Sequence, residues 1–192
     1  VLRHIPQNSY YMFERGLFPL LLKLNEPVYG YPSRGYWLDM GTPEKYLRLN
    51  HDLLLAKAKS ALTDSLSGKE VYCDEGVLLH PSARITGPAV IGSRSKICKE
   101  ARIKGPTVIG SDCLIGEGAS IEATVLWRKV NVVTGASLKQ CIVAGNTEIK
   151  SNEQVANSVI TPNHGRITCI ESLEKPIIAD SMPADTTPPG QT

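Results

Sequence analysis

The chain has 192 residues, 42% of them hydrophobic and 21% charged, with a formal net charge of +2. That is an ordinary globular mix, enough for one domain or for a small domain with an attachment. The near-neutral balance excludes a nucleic-acid binder argued from charge. The longest apolar run, Leu17 to Leu22, is far shorter than the roughly 20 residues of a membrane helix.

Composition changes along the chain. Of the 11 aromatic residues only Trp127 lies beyond Tyr72, and all 5 cysteines lie at Cys73 or later. Two materials therefore meet near residue 72. An odd number of cysteines without a C-x-x-C spacing disfavours both a disulfide framework and a four-ligand zinc site. Reduced thiols in a cytoplasmic protein are expected, and no signal-peptide pattern opens the chain. It begins on Val1 rather than Met, as a piece of a longer protein would.

In chain order, Phe13–Leu22 is amphipathic and predicts a helix, and Pro27–Tyr31 predicts a strand. In Gly35-Tyr36-Trp37-Leu38-Asp39-Met40-Gly41-Thr42-Pro43-Glu44, aromatic and aliphatic residues lead into an aspartate and a glycine turn. Thr42 is a helix N-cap, Pro43 suits the first helical position, and Glu44 suits the positive helix end. The helix is expected over 43–62, with Tyr46, Leu49, Leu53 and Leu54 on one face. Asp39 then falls between a strand end and a helix start, where open α/β sheets bind ligands. Taken alone, Asp39 reads as a structural aspartate, because one carboxylate supplies only one or two of the oxygens a hard cation needs. No second acidic residue in the first 62 is placed to share an ion. Residues 63–76 read as a linker.

Over 77–162 a repeat takes over. Aliphatic residues return every six positions at Leu79, Ile85, Ile91, Ile97, Ile103, Ile109, Ile115 and Ile121, with mostly small residues four positions after each. A helix needs a period of 3.6 and a half-buried strand a period of two. Six fits the side of a three-sided prism, and three sides make an 18-residue coil. Ile85–Arg102 and Ile103–Ser120 match at 9 of 18 positions, including Gly87-Pro88 with Gly105-Pro106. Coils stack about 4.8 Å apart, so residues 18 apart become vertical neighbours. Arg94 should meet Asp112, Lys99 should meet Glu117, and Lys104 should meet Glu122. The basic run 94–104 therefore reads as a self-neutralised face rather than a phosphate or nucleic-acid patch. After Ile121 the rhythm breaks, resuming at Val132. Trp127 is expected in a bulge between the phases, as a plug over the open prism. Residues 163–192 read as a capping strand, about Arg166–Glu171, and a disordered tail.

The repeat resembles the left-handed parallel β-helix of the hexapeptide-repeat proteins. The handedness comes from that resemblance, because crossovers are generally right-handed. Gly35–Leu54 with Phe13–Leu22 resembles the C-terminal part of a sugar-nucleotide pyrophosphorylase, most similar to the mannose-1-phosphate guanylyltransferase type. The likeness spans about residues 1–165 and rests on the string W-L-D-x-G-T-P-E-x-Y. The fold it implies is a left-handed parallel β-helix preceded by the C-terminal remnant, 1–62, of an α/β nucleotidyltransferase domain. By resemblance Asp39 helps hold Mg²⁺, Trp37 lies near the sugar pocket, and the substrates are a nucleoside triphosphate and a sugar-1-phosphate. Pyrophosphate is released, and a homo-oligomer is implied.

The family's glycine-rich loop, G-x-G-x-R-L-x-P-L-T, does not occur in this sequence. The chain alone is expected to lack pyrophosphorylase activity, with no catalytic residue assigned in it. Two other readings stay open at this point: a hexapeptide-repeat acyltransferase or a purely structural module. His80 is the only histidine in the regular repeat, on an outer face, where a solvated side chain is expected. His4, His51 and His164 carry no readable role.

Overall fold

A computed structural model describes residues 1–58, 60, 63 and 70–162, and the backbone of 165–168. Two compact units divide between Gly35 and Tyr36.

In the first unit, a π-type turn at Phe13–Leu17 runs into helix α1 (Phe18–Lys23), with Pro19 in the first turn. The missing proline N–H is one that a first turn leaves unpaired anyway. The helix expected over Phe13–Leu22 is therefore present in two pieces. The strand expected at Pro27–Tyr31 is not. Those residues, and likewise Tyr36–Asp39, are irregular. Residues of strand composition form a strand only against a partner backbone, and among the described residues none pairs with them.

The second unit opens with helix α2 (Pro43–Leu54), whose Thr42 Oγ1 accepts the Lys45 N–H at 3.4 Å. The helix is shorter than the expected 43–62. The chain turns at Leu55 and takes a positive φ at Ala56. Its buried residues are Leu47, His51 and Asp52 rather than Leu49, Leu53 and Leu54.

Strands then wind in parallel coils. The first three coils comprise β1 (Val71–Cys73), β2 (Leu78–Leu79), β3 (Arg84–Thr86), β4 (Ala89–Ile91), β5 (Lys96–Ile97), β6 (Arg102–Lys104), β7 (Thr107–Ile109), β8 (Leu114–Ile115) and β9 (Ser120–Glu122). The next two comprise β10 (Val125–Leu126), β11 (Asn131–Val132), β12 (Ser137–Lys139), β13 (Ile142–Val143), β14 (Glu148–Ile149) and β15 (Gln154–Ala156), followed by β16 (Ser158–Thr161). Sheet A is ordered β1-β4-β7-β10-β13-β16, sheet B β2-β5-β8-β11-β14, and sheet C β3-β6-β9-β12-β15. A last strand, β17 (Gly165–Thr168), pairs antiparallel with β16. His164, Cys169 and everything beyond Thr168 lie outside the described residues, as do 64–69 of the expected linker. No helix among the described residues is long and apolar enough to cross a membrane.

The six-residue period becomes an inward ladder. Ile91, Ile97, Ile103, Ile109, Ile115 and Ile121 are all buried, and Ala101, Cys113 and Ala119 fill the narrow corners. Burying each large aliphatic contributes about 1.5–3 kcal/mol. Cys113 and Cys141 are buried. The Cys113 thiol lies 3.1 Å from the Trp127 carbonyl, and burial raises its pKa.

The ladder does not break after Ile121. It continues through Leu126, Val132, Leu138 and Val143, all buried. Early corners turn through Gly87-Pro88 and Gly105-Pro106, whereas later ones turn through single residues of positive φ, Ala123, Gln140 and Asn157. One residue is lost per coil, so register partners 18 apart (Arg102 with Ser120) become partners 17 apart (Ser120 with Ser137). Thr124 takes the small corner position, and Val125 faces outward under α2. Trp127 is thus neither in a bulge nor over an open end. It follows β10 in mid-stack, on the outside.

All three expected vertical ion pairs form. Arg94 grips Asp112 with two bonds of 2.7 and 3.0 Å, Lys99 reaches Glu117 at 3.4 Å, and Lys104 reaches Glu122 at 3.3 Å. The Arg94 bond holds the Asp112 carboxyl below its usual pKa. A depressed carboxylate pKa stabilises the fold above the unfolded value of 3.8 and loses that effect as pH falls through the folded one. Asp112→Lys is expected to lower the Tm at low ionic strength, with the deficit shrinking in high salt. An unchanged Tm at low salt would contradict this register.

Candidate functional site

Helix α2 lies on the outer face of sheet A. Leu47 is fully buried against Val125 and Ile142, with Tyr46, Val108 and Val159 packed around them. Tyr46 and Trp127 meet edge-on, with ring centroids 6.4 Å apart, and the Trp127 Nε1–H donates to the Tyr46 hydroxyl at 3.1 Å. At the other end of the helix His51 Nε2 lies 3.2 Å from the Ala123 carbonyl.

Helix α2 anchors both ends of the Trp37–Gly41 stretch of the W-L-D-x-G-T-P-E string. Before it, the Tyr36 hydroxyl donates to Asp52 Oδ2 at 2.9 Å. The Asp52 side chain is buried and also meets Arg48 and Lys57, each at 3.5 Å. Burial, reinforced by the bond to Asp52, raises the Tyr36 pKa. After that stretch, Thr42 caps the helix. Between these anchors the Asp39 side chain is 66% exposed, with Lys45 Nζ at 3.9 Å, and Trp37 is 82% exposed. Asp39 and Trp37 therefore belong to one short exposed segment with fixed ends.

Among the described residues no group of three or more His, Cys, Asp or Glu could hold a metal ion. Asp39 offers a single carboxylate beside a cation, whereas Mg²⁺ demands near-octahedral oxygen coordination. The residues present do not make a complete Mg²⁺ site.

His51 is the functional-type residue that sequence reading left without a role. Desolvation by burial is the main influence on it and lowers its pKa below 6.5, against opposing contributions from the Ala123 carbonyl and Asp52. Lys57 adds to the lowering. The unfolded chain takes up a proton first as pH falls, so docking weakens below about pH 6.5. Chemical unfolding is expected to show lower stability at about pH 5.5 than at pH 7, with a smaller difference in His51→Gln. Equal pH sensitivity in the two chains would remove His51 as the cause.

His80 is exposed, with Nδ1 2.9 Å from Ser82 Oγ. It borders a shallow groove of about 650 Å³ on the outer face of sheet B, lined also by Leu78, Lys96, Cys98 and Leu114. The groove holds neither Asp39 nor Trp37.

The mannose-1-phosphate guanylyltransferase of Mycobacterium tuberculosis (strain ATCC 25618 / H37Rv) is 30% identical over 141 residues, covering 73% of this chain and 34% of that protein. The glucose-1-phosphate adenylyltransferase of Desulforamulus reducens is 26% identical over 164 residues, covering 83% of this chain and 40% of that protein. The chain thus spans a third to two fifths of the length of these relatives. Among solved structures, the acetyltransferase domain of PglB from Neisseria gonorrhoeae FA1090 matches 70% of this chain and 82% of its own, at 9% identity and a TM-score of 0.42. At that similarity it carries no argument about activity. Residues 68–168 match the family described as the EIF2B subunit epsilon LbH domain. The coils are accordingly those of a left-handed β-helix, and the chain belongs to the EIF2B subunit epsilon LbH domain family.

Proposed function

We propose that this chain is the C-terminal portion of a sugar-1-phosphate nucleotidyltransferase, of the mannose-1-phosphate guanylyltransferase kind. In this reading the β-helix is an oligomerising and positioning platform. The reading rests on the W-L-D-x-G-T-P-E string, whose Trp37–Gly41 stretch is held between Tyr36 and Thr42 at the start of a helix that docks on the β-helix. The relatives that cover 73% and 83% of the chain carry nucleotidyltransferase names.

The reaction joins a sugar-1-phosphate oxygen to the α-phosphorus of a nucleoside triphosphate and breaks the bond to pyrophosphate. Catalysis of that kind works by positioning and by spreading charge. This chain's part is to present Asp39 and Trp37 from a segment of fixed ends. Asp39 contributes one carboxylate to a divalent-ion site completed elsewhere, and Trp37 offers a face to the sugar. The protein acts in the cytoplasm.

The chain of 192 residues is expected to release no pyrophosphate from GTP and mannose-1-phosphate, with or without Mg²⁺. A coupled phosphate assay checks this, and turnover by the purified chain would overturn it. The wider reading is tested by sequencing the transcript upstream of the Val1 codon. A G-x-G-x-R-L-x-P-L-T string in frame supports it, whereas an in-frame start codon with no such string sinks it.

A further inference from the structure

Sheet C has an unbalanced outer face. Its strands present Arg84, Arg102, Lys104 and Lys139 outward, with Glu122 the one carboxylate among them. Glu122 is already shared by Lys104 at 3.3 Å and Lys139 at 3.6 Å. Arg84 and Arg102 are direct register partners on adjacent coils, so their side chains start about 4.8 Å apart. Like charges placed directly opposite destabilise a sheet. Elsewhere on this solenoid the same vertical step sets a cation against a carboxylate, as at Arg94 and Asp112. Here it sets arginine on arginine. Among the described residues neither makes an ion pair or a side-chain hydrogen bond.

A shallow cavity of about 280 Å³ lies between them, walled by Ser82 and Glu100. The Ser82 hydroxyl is held in place, 3.0 Å from the Glu100 N–H and 2.9 Å from His80 Nδ1. The Glu100 carboxylate is drawn to Lys99 at 3.6 Å. The next register position beyond Arg102 is Ser120, another hydrogen-bond donor.

We propose that Arg84 and Arg102 form an anion site that takes a phosphate group, either the free ion or the phosphate of a small phosphorylated metabolite. A guanidinium presents its N–H groups as a rigid fork matched to phosphate oxygens. Two forks one coil apart can hold one tetrahedral anion between them, which turns the repulsion of the empty pair into attraction. The site is independent of Asp39 and Trp37 and does not rest on the nucleotidyltransferase reading.

The full chain is titrated at low ionic strength with inorganic phosphate and, separately, with mannose-1-phosphate, against chloride at equal ionic strength. Saturable binding and a raised Tm are expected. Affinity should fall about tenfold or more in Arg84→Gln and in Arg102→Gln, and also in Arg102→Lys, which keeps the charge but loses the fork. Glu100→Gln should tighten binding, and Arg94→Gln should leave it unchanged. Without phosphate, Arg102→Gln should melt no lower than the parent, because it relieves repulsion. Equal affinity for the two probes assigns the free ion, and tighter mannose-1-phosphate assigns the organic phosphate. Phosphate shifts that persist unchanged in the Arg84→Gln, Arg102→Gln double variant, or no saturable binding of either probe, would overturn the site.

Discussion

Ile115→Ala is expected to cost about 2–5 kcal/mol of stability, whereas Ile85→Ala costs markedly less. Ile115 is fully buried in the third coil, with Ile97 directly before it and Val132 directly after it in the stack. Shortening the side chain leaves a void bounded by two other inward aliphatics, and the backbone ladders on both sides prevent collapse into it. Ile85 belongs to the first coil, is only half-buried, and packs against one neighbouring coil through Ile103. Each coil of a solenoid contacts only its neighbours, so the cost should scale with the number of neighbours. Urea unfolding of the two variants checks this. Equal losses would mean that the end coil is as tightly covered as the middle.

The same locality explains what could be read from sequence. A six-residue period leaves its mark on every side of the prism, so the inward residues and the pairs Arg94–Asp112, Lys99–Glu117 and Lys104–Glu122 were legible without coordinates. The corner that lost one residue was not. Ala123, Gln140 and Asn157 share no side-chain type, and only their common left-handed backbone reveals that each replaces a Gly-Pro pair. That shift placed Trp127 wrongly and hid Val125 as a docking position. Pro27–Tyr31 and the residues leading into Asp39 carry the composition of strands, but a strand is defined by its partner, and composition cannot supply one. The Thr42 cap was legible because a cap is local. The bond from Tyr36 to Asp52, the burial of His51 under Ala123, and the stack of Arg84 on Arg102 join residues through the fold. Of these only Arg84 and Arg102, 18 apart, had a readable signal in the coil period.

Leu47→Ala is expected to release helix α2 from sheet A before the β-helix itself unfolds. Leu47 is fully buried and its contacts are Val125 and Ile142, both on the outside of the prism. Truncation therefore removes about 2–5 kcal/mol from the docking of the helix and nothing from the inward ladder. A 12-residue helix is marginal in water without tertiary packing, so the loss exceeds what its remaining contacts can hold. Tyr46 packs on the same cluster, Trp127 is half-exposed, and the His51 contact to Ala123 depends on the same docking. The reporter is built in. In a Trp37→Phe background Trp127 is the sole tryptophan, and release from Tyr46 should shift its emission to the red while the β-sheet circular dichroism stays unchanged. Emission that moves only together with the global transition would show that helix and solenoid unfold as one unit. If they separate, Tyr36 loses Asp52 and Asp39 loses its fixed frame. On the proposed function, a nucleotidyltransferase assembled with the Leu47→Ala chain, Trp37 retained, should then lose turnover although every residue of the W-L-D-x-G-T-P-E string is intact.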